Sequence, residues 1–178
     1  MVALSPTPVI ETSRLVLRAP GGRDFAAWRN FFLSDRSRFI RTVAEPDEAL
    51  AWRAWSGVIG HWVMRGWGSF VVTTHDSDAA LGMTGPWAPI NWPEYEIGWT
   101  LWSDEHEGKG LMTEAAKATL DHAFRTLKWS TAVSYIVSEN ARSIRLAERL
   151  GAVLDPEARR VEDKPVLVYR HCKPEDLA

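Results

Sequence analysis

The stretch EIGWTLWSDEHEGKGLMTEAA, residues 96–116, constrains the fold more than any other part of the chain. Ile97, Trp99 and Leu101 alternate with Gly98 and Thr100, the period of a strand. From Met112 the apolar residues recur at helix spacing, through Ala116, Leu120, Ala123 and Leu127. The change of period falls on Glu107, Gly108, Lys109 and Gly110. A helix entered this way offers unpaired N–H groups and the positive end of its dipole, which together bind phosphate. Two glycines keep side chains out of an anion's path. The turn from Glu107 through Gly108, Lys109, Gly110, Leu111 and Met112 to Thr113 is therefore a candidate diphosphate cradle. The other reading is a tight turn with ordinary helix capping. A nucleotide-phosphate enzyme fits poorly, because the third glycine of a dinucleotide fingerprint is missing and Gly110 stands where a magnesium-binding Ser or Thr would follow the lysine.

The flanking chain alternates strands and helices. Strands are expected at Arg14–Arg18, Ser69–Thr74, Leu81–Gly85, Tyr95–Trp102, Thr131–Val137 and Val166–Arg170, with a further short one near Val153. Helices are expected after Asp24, with Phe25, Trp28, Phe31 and Phe32 at helix spacing, and after Asp47, with Trp55, Val58, Ile59, Trp62 and Val63 inward. A short helix follows Asn140, with Ile144, Ala147 and Leu150 inward and Gly151 at its end. This order predicts a mixed α/β sheet flanked by helices. At 178 residues one domain, 1–178, is the expectation, with loose tails at 1–10 and 173–178.

Composition removes several function classes. A net charge of −2 lacks the basic field of a nucleic-acid binder. The most apolar stretch, Leu50–Trp67, carries Arg53, His61 and Arg65, against a membrane span. Cys172 is the single cysteine, so no internal disulfide can form and a reducing, cytoplasmic address is expected. As a nucleophile it is badly placed, since His171 beside it on a strand points to the other face. Nothing in the sequence calls for a metal. Ten tryptophans read mainly as core and groove residues whose N–H groups need partners. Trp87 and Trp92 stand apart, in the proline-rich stretch Pro86–Pro93, as a candidate apolar wall for a substrate.

The segments ETSRLVLR, EIGWTL, EGKGLMTEA and NARSIRLAERLG, in this order and spacing, resemble the GNAT superfamily of N-acetyltransferases, and most closely its RimJ/RimL branch. The likeness covers Thr12 to Gly151 and is weakest from Arg29 to Trp92. It implies a mostly antiparallel sheet of six to seven strands with helices on both faces, and a V-shaped splay between the strand at Ile97–Leu101 and the one at Thr131–Val137. It implies acetyl-CoA as cosubstrate, its pantetheine arm in the splay against the main chain of Trp99, Thr100 and Leu101. The family's loop pattern Q/R-x-x-G-x-G/A sets Glu107, Gly110 and Met112 at its fixed positions, and Glu107 and Met112 depart from it. An acidic Glu107 repels a diphosphate unless its side chain turns away. Lys109 either compensates or is a solvated lysine. Asn140 and Ser143 match coenzyme-side positions, and Asn140 is equally a helix N-cap.

Acetyl transfer needs a neutral amine, so an ammonium acceptor must lose a proton. On this resemblance Glu96 is the candidate base, its other reading being a solvent-facing strand carboxylate. Ser143 is the candidate proton donor to the leaving thiolate, because the tyrosine many relatives carry further along the helix is Ala147 here. Tyr135 is a weaker alternative donor. The acceptor is a protein N-terminus or a small-molecule amine, and the protein a monomer or homodimer. The competing expectation is a module that holds acetyl-CoA without turnover.

Overall fold

A computed structural model describes residues 6–41, 43–161 and 165–173. The strands are β1 (Ile10–Glu11), β2 (Leu15–Arg18), β3 (Phe70–Thr74), β4 (Ser77–Trp87), β5 (Glu96–Leu101), β6 (Ala132–Val137), β7 (Val153–Leu154) and β8 (Val166–His171). The helices are α1 (Phe25–Leu33), α2 (Glu48–Arg65), α3 (Leu111–Asp121) and α4 (Ala141–Arg149). The strands form one sheet in the order β1-β2-β3-β4-β5-β6-β8-β7. Pairs β1–β2, β2–β3, β6–β8 and β7–β8 are antiparallel, and β5–β6 is parallel. This is the mixed, mostly antiparallel architecture expected, with eight strands in place of six or seven. The addition is β1, too short at two residues to show a period and lying where a loose tail was expected. Of the rest of the expected tails, residues 1–5 and 174–178 lie outside the described residues. No helix among the described residues is long and apolar enough to cross a membrane.

Contacts gather the chain into two compact units, Met1–Met83 with Thr100–Leu111, and Thr84–Trp99 with Met112–Ala178. In the first, aromatic side chains make the core. Trp28 lies 5.4 Å from Trp55 and 5.8 Å from Trp102, ring centre to ring centre. Each ring can be buried because its N–H is used: Trp28 donates to Ala51 O at 3.0 Å, Trp55 to Gly21 O at 3.1 Å and Trp102 to Thr100 Oγ1 at 3.0 Å. Leaving one such donor buried and unpaired costs about 1–3 kcal/mol. Asp47 starts α2 by accepting the Leu50 N–H at 2.7 Å. Val63 was expected inward and is 68% exposed. It stands about 100° round the helix from Trp62, off the buried stripe, and His61 is buried in its stead. Arg18, at the end of β2, is buried and pairs twice with Asp24, at 2.8 and 3.0 Å.

In the second unit β6 and β8 pair along their full length, Ala132↔His171 to Val137↔Val166. Ile136, Ala147, Ala152 and Tyr169 form a core cluster, with Trp99, Ile144 and Leu167 packed against it. The partnership of β5 and β6 is much shorter: one residue pair, Glu96↔Val133, beside a Val133 N–H to Tyr95 O bond of 2.9 Å. Beyond it the two strands splay. β4 runs on through Pro86 and Trp87, which the sequence placed in a loop. Proline lacks a donor and is tolerated at a strand's end.

His171 is 3% exposed, and burial pushes its pKa down to about 4. The folded protein therefore keeps this ring neutral down to that pH, whereas the unfolded chain takes up the proton near 6.5. Between those values the unfolded state binds more protons, so acid favours unfolding. Unfolding free energy measured in urea is expected to be insensitive to this group above pH 7. It should fall by up to about 3 kcal/mol between pH 6.5 and 4, and His171→Gln should flatten that slope.

Candidate functional site

The glycine turn is built by local backbone demands. Gly108 and Gly110 have φ of +72° and +73°, a region that side chains disfavour. Gly108, Lys109 and Gly110 are all exposed. Among the described residues, no acceptor outside α3's own turns takes the main-chain N–H of Gly108, Lys109, Gly110, Leu111, Met112 or Thr113. Six donors thus stand where the α3 dipole is positive.

Two arginines that the sequence did not single out flank this turn. Arg14, just before β2, donates from Nη1 to Lys109 O at 2.9 Å. A Cβ on Gly110 would lie 3.6 Å from Arg14 Nη2. Arg36, on the short 3-10 turn after α1, donates from Nη2 to Glu107 Oε1 at 2.7 Å and to Leu101 O at 3.1 Å, and pairs through Nη1 with Asp104. The Glu107 carboxylate is therefore drawn onto a cation, and the Leu101 carbonyl, expected to face a bound arm, already accepts a bond from a side chain. No local pattern announces either arginine. Arg14 reads as one charge in an alternating strand, and it lies 95 residues from its partner.

The remaining expected site residues apart from Thr100 lie in the second unit. Alternation along β5 puts Glu96 and Gly98 on one face and Ile97 and Trp99 on the other. The Glu96 carboxylate accepts the Trp92 indole N–H at 2.5 Å. Its Oε1 lies 3.7 Å from where a Gly98 side chain would begin. Tyr135 is pushed up to about 12 by burial, then by the nearby charges of Glu94 and Glu96. A phenol held so firmly protonated gives no base at neutral pH. On the opposite face the Trp99 indole N–H donates to Ser143 Oγ at 3.2 Å. Asn140 Oδ1 accepts the Ser143 N–H at 3.2 Å, capping α4. The structure thus brings together Trp92 with Glu96, and Trp99 with Ser143 and Asn140. Glu96 is not brought to Ser143, because they attach to opposite faces of β5. Trp87 is half-buried at the end of β4. Lys109 is exposed, and Thr113 Oγ1 accepts from Arg149 at 3.3 Å.

Past Glu96↔Val133, the main-chain groups of Trp99 on β5 and of Tyr135 on β6 that face each other lie outside the β5–β6 ladder, whereas the Val137 carbonyl accepts the Asn140 N–H at 2.9 Å. Unpaired strand edges of this kind accept an extended chain. Thr100 lies on the same strand, and its hydroxyl is engaged by Trp102.

Comparison with known proteins adds a family to this geometry. A family model described as Acetyltransferase (GNAT) domain matches residues 14–153. An acetyltransferase from Agrobacterium tumefaciens str. C58 is 34% identical, with 97% of this chain and 98% of that chain covered and a TM-score of 0.85. RimL, a ribosomal L7/L12 alpha-N-protein acetyltransferase solved with coenzyme A, shares the fold at 19% identity, with 92% and 97% covered and a TM-score of 0.70. YnaD of Bacillus subtilis (strain 168), an uncharacterized N-acetyltransferase, is 28% identical over 82 residues, 46% of this chain and 48% of its own length. The chain spans about half the length of the Bacillus subtilis relatives it matches.

The Arg36–Glu107 pair is partly screened, with side chains 22% and 31% exposed. A double-mutant cycle of Arg36→Ala and Glu107→Gln in urea unfolding should give a coupling of about 1 kcal/mol or less. Arg36→Ala alone should cost more than Glu107→Gln, since it also releases Asp104 and Leu101 O.

Proposed function

Because this chain belongs to the GNAT family of acetyltransferases, we propose that it transfers the acetyl group of acetyl-CoA directly to a primary amine, with both substrates bound at once. The observation that carries this reading is the parting of β5 and β6 after a single residue pair, which leaves strand-edge donors and acceptors beside Trp99. Acetyl-CoA supplies an activated thioester acyl group and a diphosphate handle. The N–H groups of Gly108 to Thr113 receive the diphosphate, with the Arg14 guanidinium adding positive charge next to Gly110. The donor set fits that anion, because Glu107, the one acid in the turn, is neutralised by Arg36. The main chain of Trp99 pairs with the pantetheine arm, and Asn140 and Ser143 border it from α4.

Glu96 takes the proton of the incoming ammonium, directly or through a water. Trp92 fixes the carboxylate's position for this. Ser143 Oγ accepts from Trp99, so its own hydrogen remains free to pass to the departing sulfur. Orientation of the two substrates supplies much of the acceleration. The acceptor is a protein N-terminus or a small amine with an apolar body, with Trp87 and Trp92 as its wall. The EIGWTL, EGKGLMTEA and NARS motifs and the fold shared with RimL support a RimJ/RimL-like placement. An α-amine, with a pKa near 8 against about 10.4 for lysine, yields its proton far more readily at neutral pH.

The direct test is incubation with acetyl-CoA and a panel of peptides and small amines, read by mass spectrometry and free-thiol release. Neither signal with any amine would reject transfer in favour of a holding module, and thiol release without acetylated product would reject it in favour of thioester hydrolysis. Gly110→Asp should lose acetyl-CoA binding in calorimetry while unfolding stays cooperative. The new carboxylate would pair with Arg14 and occupy the anion's place. Glu96→Gln keeps an acceptor for Trp92, and should lower kcat roughly 100-fold at neutral pH with little change in acetyl-CoA affinity. The deficit should narrow at high pH, where the amine is already neutral.

A further inference from the structure

The opening beside Trp99 starts at one carbonyl. Val133 N–H meets Tyr95 O, so the next step of a regular parallel ladder would bring Tyr135 N–H to Ile97 O. Instead Ile97 O accepts the hydroxyl of Ser134 at 2.6 Å. The same Ser134 Oγ lies 2.8 Å from Nε2 of His171. Serine has one proton to give, and Ile97 O takes it, so Nε2 must carry the ring proton and donate to Oγ. Donation therefore runs His171 to Ser134 to Ile97. His171 pairs with Ala132, and Ser134 with Tyr169, which makes the two side chains diagonal neighbours on one face of the sheet. Ser134 and His171 are 2% and 3% exposed. His171 Nδ1 has no partner, an uncompensated acceptor that the fold tolerates to keep Nε2–H on the serine. The Trp99 ring stands edge-on to His171, 6.3 Å between ring centres.

We propose that Ser134 and His171 are positioning residues that form a side-chain wedge, ending the β5–β6 ladder and holding the slot open. The hydroxyl takes the carbonyl that Tyr135 N–H needs in order to continue the pairing, and the imidazole locks the hydroxyl in that rotamer. With the wedge in place, Tyr135 N–H and the main chain of Trp99 are left for an extended ligand. That the ligand is the arm of acetyl-CoA rests on the function proposed above. The wedge itself does not.

The test reads the two separately. Amide hydrogen exchange of Tyr135 and Val137 is followed by NMR in the ligand-free full chain, and acetyl-CoA binding by calorimetry. In Ser134→Ala, Ile97 O is free to take Tyr135 N–H, and exchange at Tyr135 should slow about tenfold while acetyl-CoA affinity falls about tenfold. Ser134→Thr keeps the hydroxyl and should restore both. An exchange rate at Tyr135 in Ser134→Ala equal to that of the unaltered protein overturns the wedge, whatever the affinity does. Slowed exchange in a protein that binds no acetyl-CoA even when unaltered leaves the wedge standing and removes the proposed activity. Should Ser134→Ala not fold, His171→Met withdraws the ring N–H at similar volume. Tyr135 exchange should then slow severalfold, and an unchanged rate overturns the proposal equally.

Discussion

Two parallel strands that pair at Glu96 and Val133 and then separate set the terms for the rest of the structure. Buried main-chain groups must be partnered, and a strand pair normally does that by running on. Here the run stops. Gly98 O is taken on the other side by Thr84 at 2.8 Å, while the groups of Trp99 that face β6 lie outside the ladder. The same strand sorts chemistry by face. Period-two alternation gives Glu96 to the side where Trp92 reaches it, and gives Trp99 to the side where α4 presents Ser143. Glu96 and Ser143 are thereby kept apart without any extra device.

The turn before α3 shows how charge is managed around the proposed anion site. A helix N-terminus carries about half a positive charge, and an acid at Glu107 or Asp104 works against it. Arg36 meets both acids and Leu101 O in one guanidinium, which only the planar, multi-donor arginine head can do. Arg14 adds a second cation on the Lys109 carbonyl. The departure of Glu107 from the family's Gln/Arg is thus balanced by a residue on a different element, and the N–H groups of the turn remain the donors.

The ten tryptophans read from the sequence mainly as core and groove residues, and several of them do serve packing. Trp28, Trp55, Trp102 and Phe31 pack together in one core, with Phe31 stacked on Trp102, and Trp62 packs edge-on to Phe70 at 5.0 Å. Trp129 stacks on Tyr95. Trp92 and Trp99 spend their N–H on residues with a proposed chemical role. An indole fills a large volume and brings one donor, so where that donor goes separates a core ring from a functional one.

Much of the fold was legible because it rests on short-range periodicity. The alternation at Ile97–Leu101, the helix stripe from Met112 to Leu120 and the cap at Asp47 each express a local rule that a few consecutive residues satisfy. Gly108 and Gly110 were legible for the same reason, since positive φ is a demand made on one residue at a time. The misplacement of Val63 came from extending a stripe one residue too far round the helix, and β1 was missed because two residues carry no period. What the sequence by itself determined is therefore the order of elements, the glycine turn and the segments that resemble the GNAT family. Only the tertiary structure decided that Arg36 neutralises Glu107, that Arg14 sits on the turn, and that Ser134 takes Ile97 O with His171 behind it. Those partners lie 71, 95 and 37 residues apart. Hydrogen bonds and ion pairs act over a few ångströms of space whatever the distance along the chain, so only the folded coordinates pair such residues.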